Sequence, residues 1–228
     1  MGKSILMGAV IAIVLVVVLG VGGYVYLRAV EGRTDPLQTD RVVLIFESPA
    51  EDGATVATLI SMVADGRMTD VSPDTSVTVS GSSSNRLGDV FVFGGGSGVA
   101  RVLSDNASGT PASFVSVPQS VWRAAVEASG GVSVSIPEQL TVFDGTRLTT
   151  IQSGAQMLTA DQVAAVLRGQ AFLSPAQSAA VREELERKLG AAVVVMKPSP
   201  TGLKSDLTPD GLASWLQDKL ASALDAPR

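Results

Sequence analysis

The sequence has 228 residues, with 46% hydrophobic and 17% charged residues, a net charge of −5 at pH 7, and neither cysteine nor histidine. This composition excludes disulfide bonds, thiolate nucleophiles, histidine general bases and zinc sites built from cysteine or histidine. A metal ion would have to be a hard cation bound by Asp and Glu oxygens. The chain has no basic run, so a nucleic-acid partner is disfavoured.

The N-terminal part of the chain predicts a membrane anchor. Residues 5–27 contain no charged residue, and as a helix they would span about 34 Å, enough for the roughly 30 Å hydrocarbon core of a bilayer. The stretch is longer than the apolar part of a signal peptide and lacks a convincing cleavage site. We expect a cytoplasmic tail (1–4), one transmembrane helix (5–27), a stalk (28–40) and an extracytoplasmic domain (41–224). Lysine and arginine counts do not decide the orientation, so a cytoplasmic N-terminus is the default.

Short apolar or alternating runs predict the strands of this domain, because a half-buried strand alternates and a buried strand is a short continuous apolar run. The predicted strands are 41–46, 56–64, 75–81, 89–93, 113–117, 132–138 and 191–196. The last of these is uniformly apolar, which suits a central strand.

Three Ser/Thr-x-x-Gln sequences predict helix starts of the capping-box type, in which the first side chain and the glutamine satisfy each other's backbone N–H groups. They lie at residues 116–119, 159–162 and 174–177. The third begins a helix predicted to end at Gly190, and an amphipathic helix is predicted at 209–224. Strands alternating with helices predict a layered α/β domain, with a mixed β-sheet flanked by helices.

Two segments raise the question of an anion site. The glycine-rich stretch 93–103 follows a predicted strand, but its spacing matches neither G-x-G-x-x-G nor a P-loop, which favours a plain strand–helix turn. Arg168 lies near the end of the predicted helix that begins at 159. It is either a solvated charge that interacts with the helix dipole, which local evidence favours, or a phosphate ligand at a cleft.

The order of several segments resembles that of the LytR–CpsA–Psr family. The stretch SPDTSVTV is similar to the family's Pro-Arg-Asp-Thr strand, and RLGDVFVFGG (86–95) to its Lys-Ile-Asn-x-Ala-Tyr-x-x-Gly-Gly segment. The segments GGVSVSIP (130–137), SGAQMLTADQVAAVLRGQ (153–170) and SDLTPDGLASWLQ (205–217) resemble later motifs of the domain. Members of the family are membrane-anchored and transfer glycopolymers from polyprenyl-pyrophosphate carriers to the bacterial cell wall. The resemblance therefore implies a single-pass protein of the bacterial plasma membrane whose globular domain is extracytoplasmic.

The chain departs from the family at residues that carry its chemistry. The motif with the magnesium-binding aspartate would fall at 53–56, where the sequence is GATV. Proline precedes Asp74 in place of an arginine, and Gln170 replaces the second arginine of an Arg-x-Arg pair. Of the downstream arginine segment only Arg182 aligns. Because these losses remove charge that would stabilise a transferring phosphoryl group, the resemblance implies a degenerate, non-catalytic member.

The predicted function is therefore that of a pseudoenzyme in cell-wall biogenesis. It would bind a lipid-linked (polyprenyl pyrophosphate) precursor or act as the partner of an active paralogue or another envelope protein. One alternative is a structural or protein-interaction module without a ligand. The other is a divergent glycopolymer phosphotransferase with a rearranged metal site, for which Asp52, Asp74 and Asp89 are candidates. No catalytic residue and no cofactor are predicted. Mg²⁺ would be required only if the protein is the divergent transferase. The candidate pyrophosphate ligands are Arg168, Asp74 and Arg86, with Asp89, Arg182 and Gln170 as further candidates.

Overall fold

The computed structural model describes residues 41–50, 53–78, 86–106, 112–143, 148–197 and 202–226. The predicted tail, transmembrane helix and stalk (1–40) lie outside these residues. Within the described part of the chain, no helix has the combination of length and apolar character needed to cross a bilayer. Residues 39–228 form a compact unit by themselves, and the buried clusters described below are built from residues of this unit alone.

A five-stranded mixed sheet forms the centre of the domain, in the order β3-β2-β1-β4-β9. Strand β1 pairs antiparallel with β2 and parallel with β4, while β3 and β9 form the edges. Two antiparallel strand pairs, β5 with β8 and β6 with β7, lie outside this sheet. The strands are β1 (Arg41–Pro49), β2 (Thr55–Ala64), β3 (Arg67–Asp70), β4 (Ser113–Val117), β5 (Val132–Ile136), β6 (Leu140–Phe143), β7 (Leu148–Ile151), β8 (Gly154–Leu158) and β9 (Lys204–Ser205).

The described helices lie on both faces of the main sheet. They are α1 (Leu87–Asn106), α2 (Gln119–Ala128), α3 (Ala160–Gly169), α4 (Pro175–Met196) and a C-terminal helix that continues from Pro209–Ser214 through a π-helical segment, Trp215–Leu220, to Ala221–Asp225. A 3₁₀ turn, Gln170–Phe172, joins α3 to the residues before α4. This arrangement confirms the predicted layered α/β class with a mixed sheet between helices.

The two faces of β1 contribute to two separate hydrophobic clusters, because successive side chains of a strand point to opposite faces. Val42, Leu44 and Phe46 belong to the larger cluster, which the helices α2, α3, α4 and the C-terminal helix complete. Val43 and Ile45 belong to the smaller cluster, which is covered by α1. The sheet is therefore the middle layer of the domain.

Two of the three predicted capping boxes are confirmed. Thr159 and Gln162 satisfy each other's backbone groups at the start of α3, and Ser174 and Gln177 do the same at α4. The third is wrong: α2 begins after Pro118, which makes no side-chain cap. Ser116 is instead a buried residue of β4, and its hydroxyl donates a hydrogen bond to Oε1 of Glu47 (2.6 Å).

The strands predicted at 89–93 and 191–196 are wrong, since both runs are helical, in α1 and α4. Helix α4 passes through Gly190, where it was predicted to end, and packs closely against Leu224 of the C-terminal helix at that glycine. The predicted strand 75–81 is reduced, in its described part, to one bridge between Ser76 and Arg86. Strands β3, β6, β7, β8 and β9 were not predicted.

Candidate functional site

A cleft of about 570 Å³ lies between β2, the segment 72–74, the end of α3 and the start of α4; we call it the polar cleft. Four of the candidate residues line it, although they come from segments far apart in the sequence. They are Asp74, Arg168, Gln170 and Arg182. The capping box at Thr159 sets the start of α3 and so places Arg168 in its last turn, beside the cleft.

A second cleft of about 500 Å³, the apolar groove, adjoins the polar cleft. It lies between the end of β1, the start of β2, β6 and α3. Its apolar lining includes Val56, Val142, Phe143, Ala164, Leu167 and Phe172. Thr58, Leu167 and Arg168 line both clefts. An elongated ligand could therefore place a charged group on one side of Arg168 and an apolar group on the other.

Arg168 is the cationic group at this junction. Its side chain is exposed, and no carboxylate of the described residues forms an ion pair with it. The opposite, apolar face of α3 is buried in the larger hydrophobic cluster. The guanidinium is thus held on a packed helix while its N–H groups remain open to a ligand, and its planar fork of donors suits phosphate oxygens.

Asp74 and Arg86 form an exposed pair at the edge of the polar cleft. Nη1 of Arg86 lies 3.5 Å from Oδ1 of Asp74, and both side chains are mostly exposed. The backbone N–H of Asp74 donates to Oγ of Ser72 (3.2 Å), which fixes the turn that carries the aspartate. Arg86 reaches the cleft only through Asp74, since it does not itself line the cavity. An exposed pair at this distance contributes little to stability.

Arg182 lines the polar cleft, but its guanidinium is held by Asp70, a residue that the sequence analysis did not single out. Nε donates to Oδ1 of Asp70 (3.4 Å), Nη2 to Oδ2 (3.2 Å), and Nη1 to Oγ of Ser178 (3.0 Å). Asp70 and Arg182 are 112 positions apart, and no local motif links them. The only signal in the sequence was an acidic residue at the end of a short polar run.

Behind this ion pair lies Glu186, a buried carboxyl on α4. Its burial, reinforced by the negative charge of Asp70, raises the pKa of Glu186 to about 9, against the opposing positive charge of Arg182. Oε1 of Glu186 and Oγ of Ser61 have no hydrogen-bond partner among the described residues. The carboxyl is therefore neutral at pH 7 and adds no negative charge beside Arg182.

The remaining candidates are placed differently. The side-chain nitrogen of Gln170 is buried and has no hydrogen-bond partner in the described part of the chain, although the residue lines the polar cleft. Asp89 is exposed in the first turn of α1 and lines neither cleft. Asp52 lies outside the described residues. The glycine-rich segment 93–103 lies within α1, where Gly95 (φ 58°) interrupts the helical geometry.

The described carboxylates near the cleft offer few free ligands to a magnesium ion. Asp70 is bound by Arg182, and Asp74, which faces Arg86 at 3.5 Å, is the one described carboxylate that lines the polar cleft, whereas Mg²⁺ is usually bound by one or two carboxylates together with phosphate oxygens and water. Among the described residues there is no group of three acidic side chains that could hold a metal ion.

Neither a protein-family model nor a curated protein matches the sequence. Solved structures do match its fold. TagV of B. subtilis aligns with a TM-score of 0.57 and 13% identity over 81% of this chain and 80% of its own. The LytR-Csp2A-Psr enzyme from Actinomyces oris aligns with 0.58 and 16% identity, over 84% and 78%. TagT bound to LIIa-WTA aligns with 0.55 and 16% identity, over 81% and 76%. At these identities the similarity shows a common fold.

Proposed function

We propose, from a LytR–CpsA–Psr-like fold and an amphipathic pair of clefts, that this protein binds a lipid-linked precursor of a bacterial cell-wall glycopolymer without transferring it. Its domain would be held at the outer face of the plasma membrane by residues 5–27, with the N-terminus in the cytoplasm. The precursor would be a polyprenyl pyrophosphate bearing a glycan. The solved structures of TagT with bound LI-WTA and LIIa-WTA support a ligand of this class.

The observation that carries the proposal is the position of Arg168 in the walls of both clefts. A prenyl pyrophosphate has a charged head joined directly to an apolar chain, so it needs a cation at the boundary between a polar and an apolar site. The head would accept hydrogen bonds from Arg168 in the polar cleft. The first isoprene units would lie against Leu167 and Val142 in the apolar groove. Burial of such groups contributes about 25 cal/mol per Å² of apolar surface.

Binding is favoured over transfer by what the other charged groups of the cleft already do. Nε, Nη1 and Nη2 of Arg182 already donate hydrogen bonds to Asp70 and Ser178. Arg182 therefore contributes less to the stabilisation of a phosphoryl group than a free arginine would. Phosphoryl transfer depends on several such charges acting together on the transferring group. Among the described arginines that line the polar cleft, Arg168 alone is open, and a single open arginine suits recognition of a phosphate better than its transfer.

The experiment is a thermal-unfolding measurement on residues 39–228, with and without farnesyl pyrophosphate, each with and without Mg²⁺. A ligand that binds only the native state raises the free energy of unfolding by mass action, by about 2.7 kcal/mol at a hundred times the dissociation constant, and so raises the melting temperature. We expect a rise for the wild type that is independent of Mg²⁺. The rise should be lost in Arg168→Ala.

The matched control is Arg101→Ala, which removes an exposed arginine on α1 that lines neither cleft. This variant should keep the full shift. No shift for the wild type at saturating lipid would contradict the proposal and favour an interaction module without a ligand. A shift that requires Mg²⁺ would instead favour a transferase with a metal site that includes residues outside the described part of the chain.

A further inference from the structure

Three large hydrophobic side chains are exposed at the mouth of the apolar groove. Phe143 is 61% exposed, Leu148 is 69% exposed and Phe172 is 72% exposed. They come from three elements, β6, β7 and the 3₁₀ turn after α3. Isolated exposed hydrophobic residues are ordinary, but a group of large ones around a cavity marks an interaction surface.

The three residues form one surface, which we call the apolar rim. Phe143 and Leu148 are directly opposite each other in the antiparallel pair β6–β7, where side chains of facing residues lie on the same side. Phe143 and Phe172 both line the apolar groove. The rim is therefore continuous with the groove, and whatever covers the rim also lies at the groove's entrance.

The chain outside the described residues can bring this surface to a bilayer. Residues 28–40, fully extended, would span up to about 45 Å, at 3.3–3.6 Å per residue. Strand β1 starts at Arg41 and ends at Pro49, which lines the groove; its nine residues cover only about 27 Å. An anchor at residues 5–27 would thus leave enough chain for the rim to touch the same membrane.

The chemistry of the rim fits the boundary between lipid headgroups and acyl chains. Phenylalanine and leucine insert there, while a neighbouring arginine keeps its charge at the headgroup level; Arg168 lines the groove beside the rim. The protein is acidic overall, with a net charge of −5, so attraction to anionic lipid does not explain binding. Apolar insertion would have to supply the affinity, and it would act on neutral lipid too.

We propose that the apolar rim docks onto the surface of a lipid bilayer, so that the apolar groove opens towards the lipid phase. This inference deepens the proposed function, because a carrier lipid could then enter the groove without crossing water. It concerns a surface, though, and can be tested without any carrier lipid.

The test uses the absence of cysteine from the chain. Residues 39–228 carrying Phe172→Cys are labelled with an environment-sensitive fluorophore and mixed with phosphatidylcholine vesicles that contain no prenyl lipid. We expect the emission to rise at least threefold and to shift to shorter wavelength, with little dependence on salt. Adding Phe143→Ser and Leu148→Ser should reduce this response at least fivefold, and both side chains are exposed enough for the fold to tolerate the change.

The matched control is Phe93→Cys, at a phenylalanine that is 84% exposed on α1 and lines neither cleft. A response only at residue 172 supports the proposal. Equal responses at both positions, or none, would overturn it. A signal at residue 172 that rises with protein concentration without vesicles would also overturn it, because a second copy of the chain would then cover the rim. If the rim does not bind vesicles, the result with farnesyl pyrophosphate is unaffected. If farnesyl pyrophosphate does not bind, the result with vesicles is likewise unaffected.

Discussion

At the scale of single residues, Glu186 weakens the fold that contains it. In the unfolded chain its carboxyl has a pKa of 4.5, whereas burial and the charge of Asp70 raise the folded value to about 9. Between these values the unfolded state is ionised and the folded state is not, so stability falls as the pH rises from about 4.5 to about 9. Below pH 4.5 the penalty is absent, because the carboxyl is protonated in both states.

Replacing this carboxyl by an amide of the same shape should stabilise the protein. Glu186→Gln removes a penalty of about 3 kcal/mol at pH 7, estimated from 1.36 kcal/mol per pKa unit, and should have little effect at pH 4. Urea unfolding of residues 39–228 at both pH values measures the difference. Glu127→Gln, on the exposed side of α2, is the control and should change stability by less than about 0.5 kcal/mol. A stability gain of equal size at both pH values would contradict the assigned cause.

The candidate site shows what a sequence can and cannot predict about single residues. Resemblance to known motifs selected Asp74, Arg168 and Arg182, and these residues do line one cleft. The motifs did not indicate that Asp70 forms an ion pair with Arg182, because this contact depends on how α4 packs against the edge strand β3. The motifs therefore selected several residues that share a cleft, but also Arg86 and Asp89, which do not line it, and they did not show which charges are free. The role of these residues as ligands stays a prediction.

At the scale of elements, the glycines of α1 have unequal roles. A Cβ atom on Gly96 would overlap the ring of Phe114 on β4, with Cε2 only 2.6 Å away, whereas a Cβ on Gly94 would meet nothing within 4 Å. Gly96 is thus required for the close approach of α1 to the sheet. The interruption at Gly95 (φ 58°) lies directly between these two positions.

We expect alanine substitutions at Gly96 and Gly94, both in α1, to have different effects on the free energy of unfolding. Gly96→Ala should lower the free energy of unfolding by about 1–3 kcal/mol, the usual cost of overpacking. Gly94→Ala should leave it unchanged or raise it by up to about 1 kcal/mol, because alanine favours a helix. Denaturant midpoints of the two variants, with equal slopes, provide the measurement. Equal destabilisation by both would show that helix geometry at the glycine segment, rather than contact with Phe114, sets the requirement.

Two helix starts were predicted correctly from contacts between neighbouring residues. Two apolar runs, in contrast, were predicted as strands although they are helical. The capping boxes at 159–162 and 174–177 depend on contacts within four residues and form as predicted. The same pattern at 116–119 does not form a cap, because Ser116 lies in β4 and donates its hydrogen bond to Glu47. The runs 89–93 and 191–196 have the composition of buried strands, yet each lies in a helix that packs against the sheet or another helix. Short apolar runs are compatible with both structures, and only tertiary packing decides between them.

At the scale of the whole molecule, β1 joins the two hydrophobic clusters into one folding unit. Its alternate residues are buried in the two clusters. Loss of packing in either cluster would therefore expose one face of β1 to water. Two-state unfolding is usual for domains under about 150 residues; the shared strand leads us to expect one cooperative transition in this larger domain as well.

The positions of the two tryptophans make this cooperativity measurable. Trp122 and Trp215 both belong to the larger cluster, and the sequence has no others, so tryptophan fluorescence reports on that cluster alone while circular dichroism reports on all helices. Leu185→Ala, in the larger cluster, should cost about 2–5 kcal/mol, and Val99→Ala, in the smaller one, about 1–3 kcal/mol. If the clusters unfold together, Val99→Ala shifts the fluorescence transition as far as the dichroism transition. A shift confined to dichroism would mean that α1 and its cluster unfold separately, and that the sheet couples its two faces only weakly.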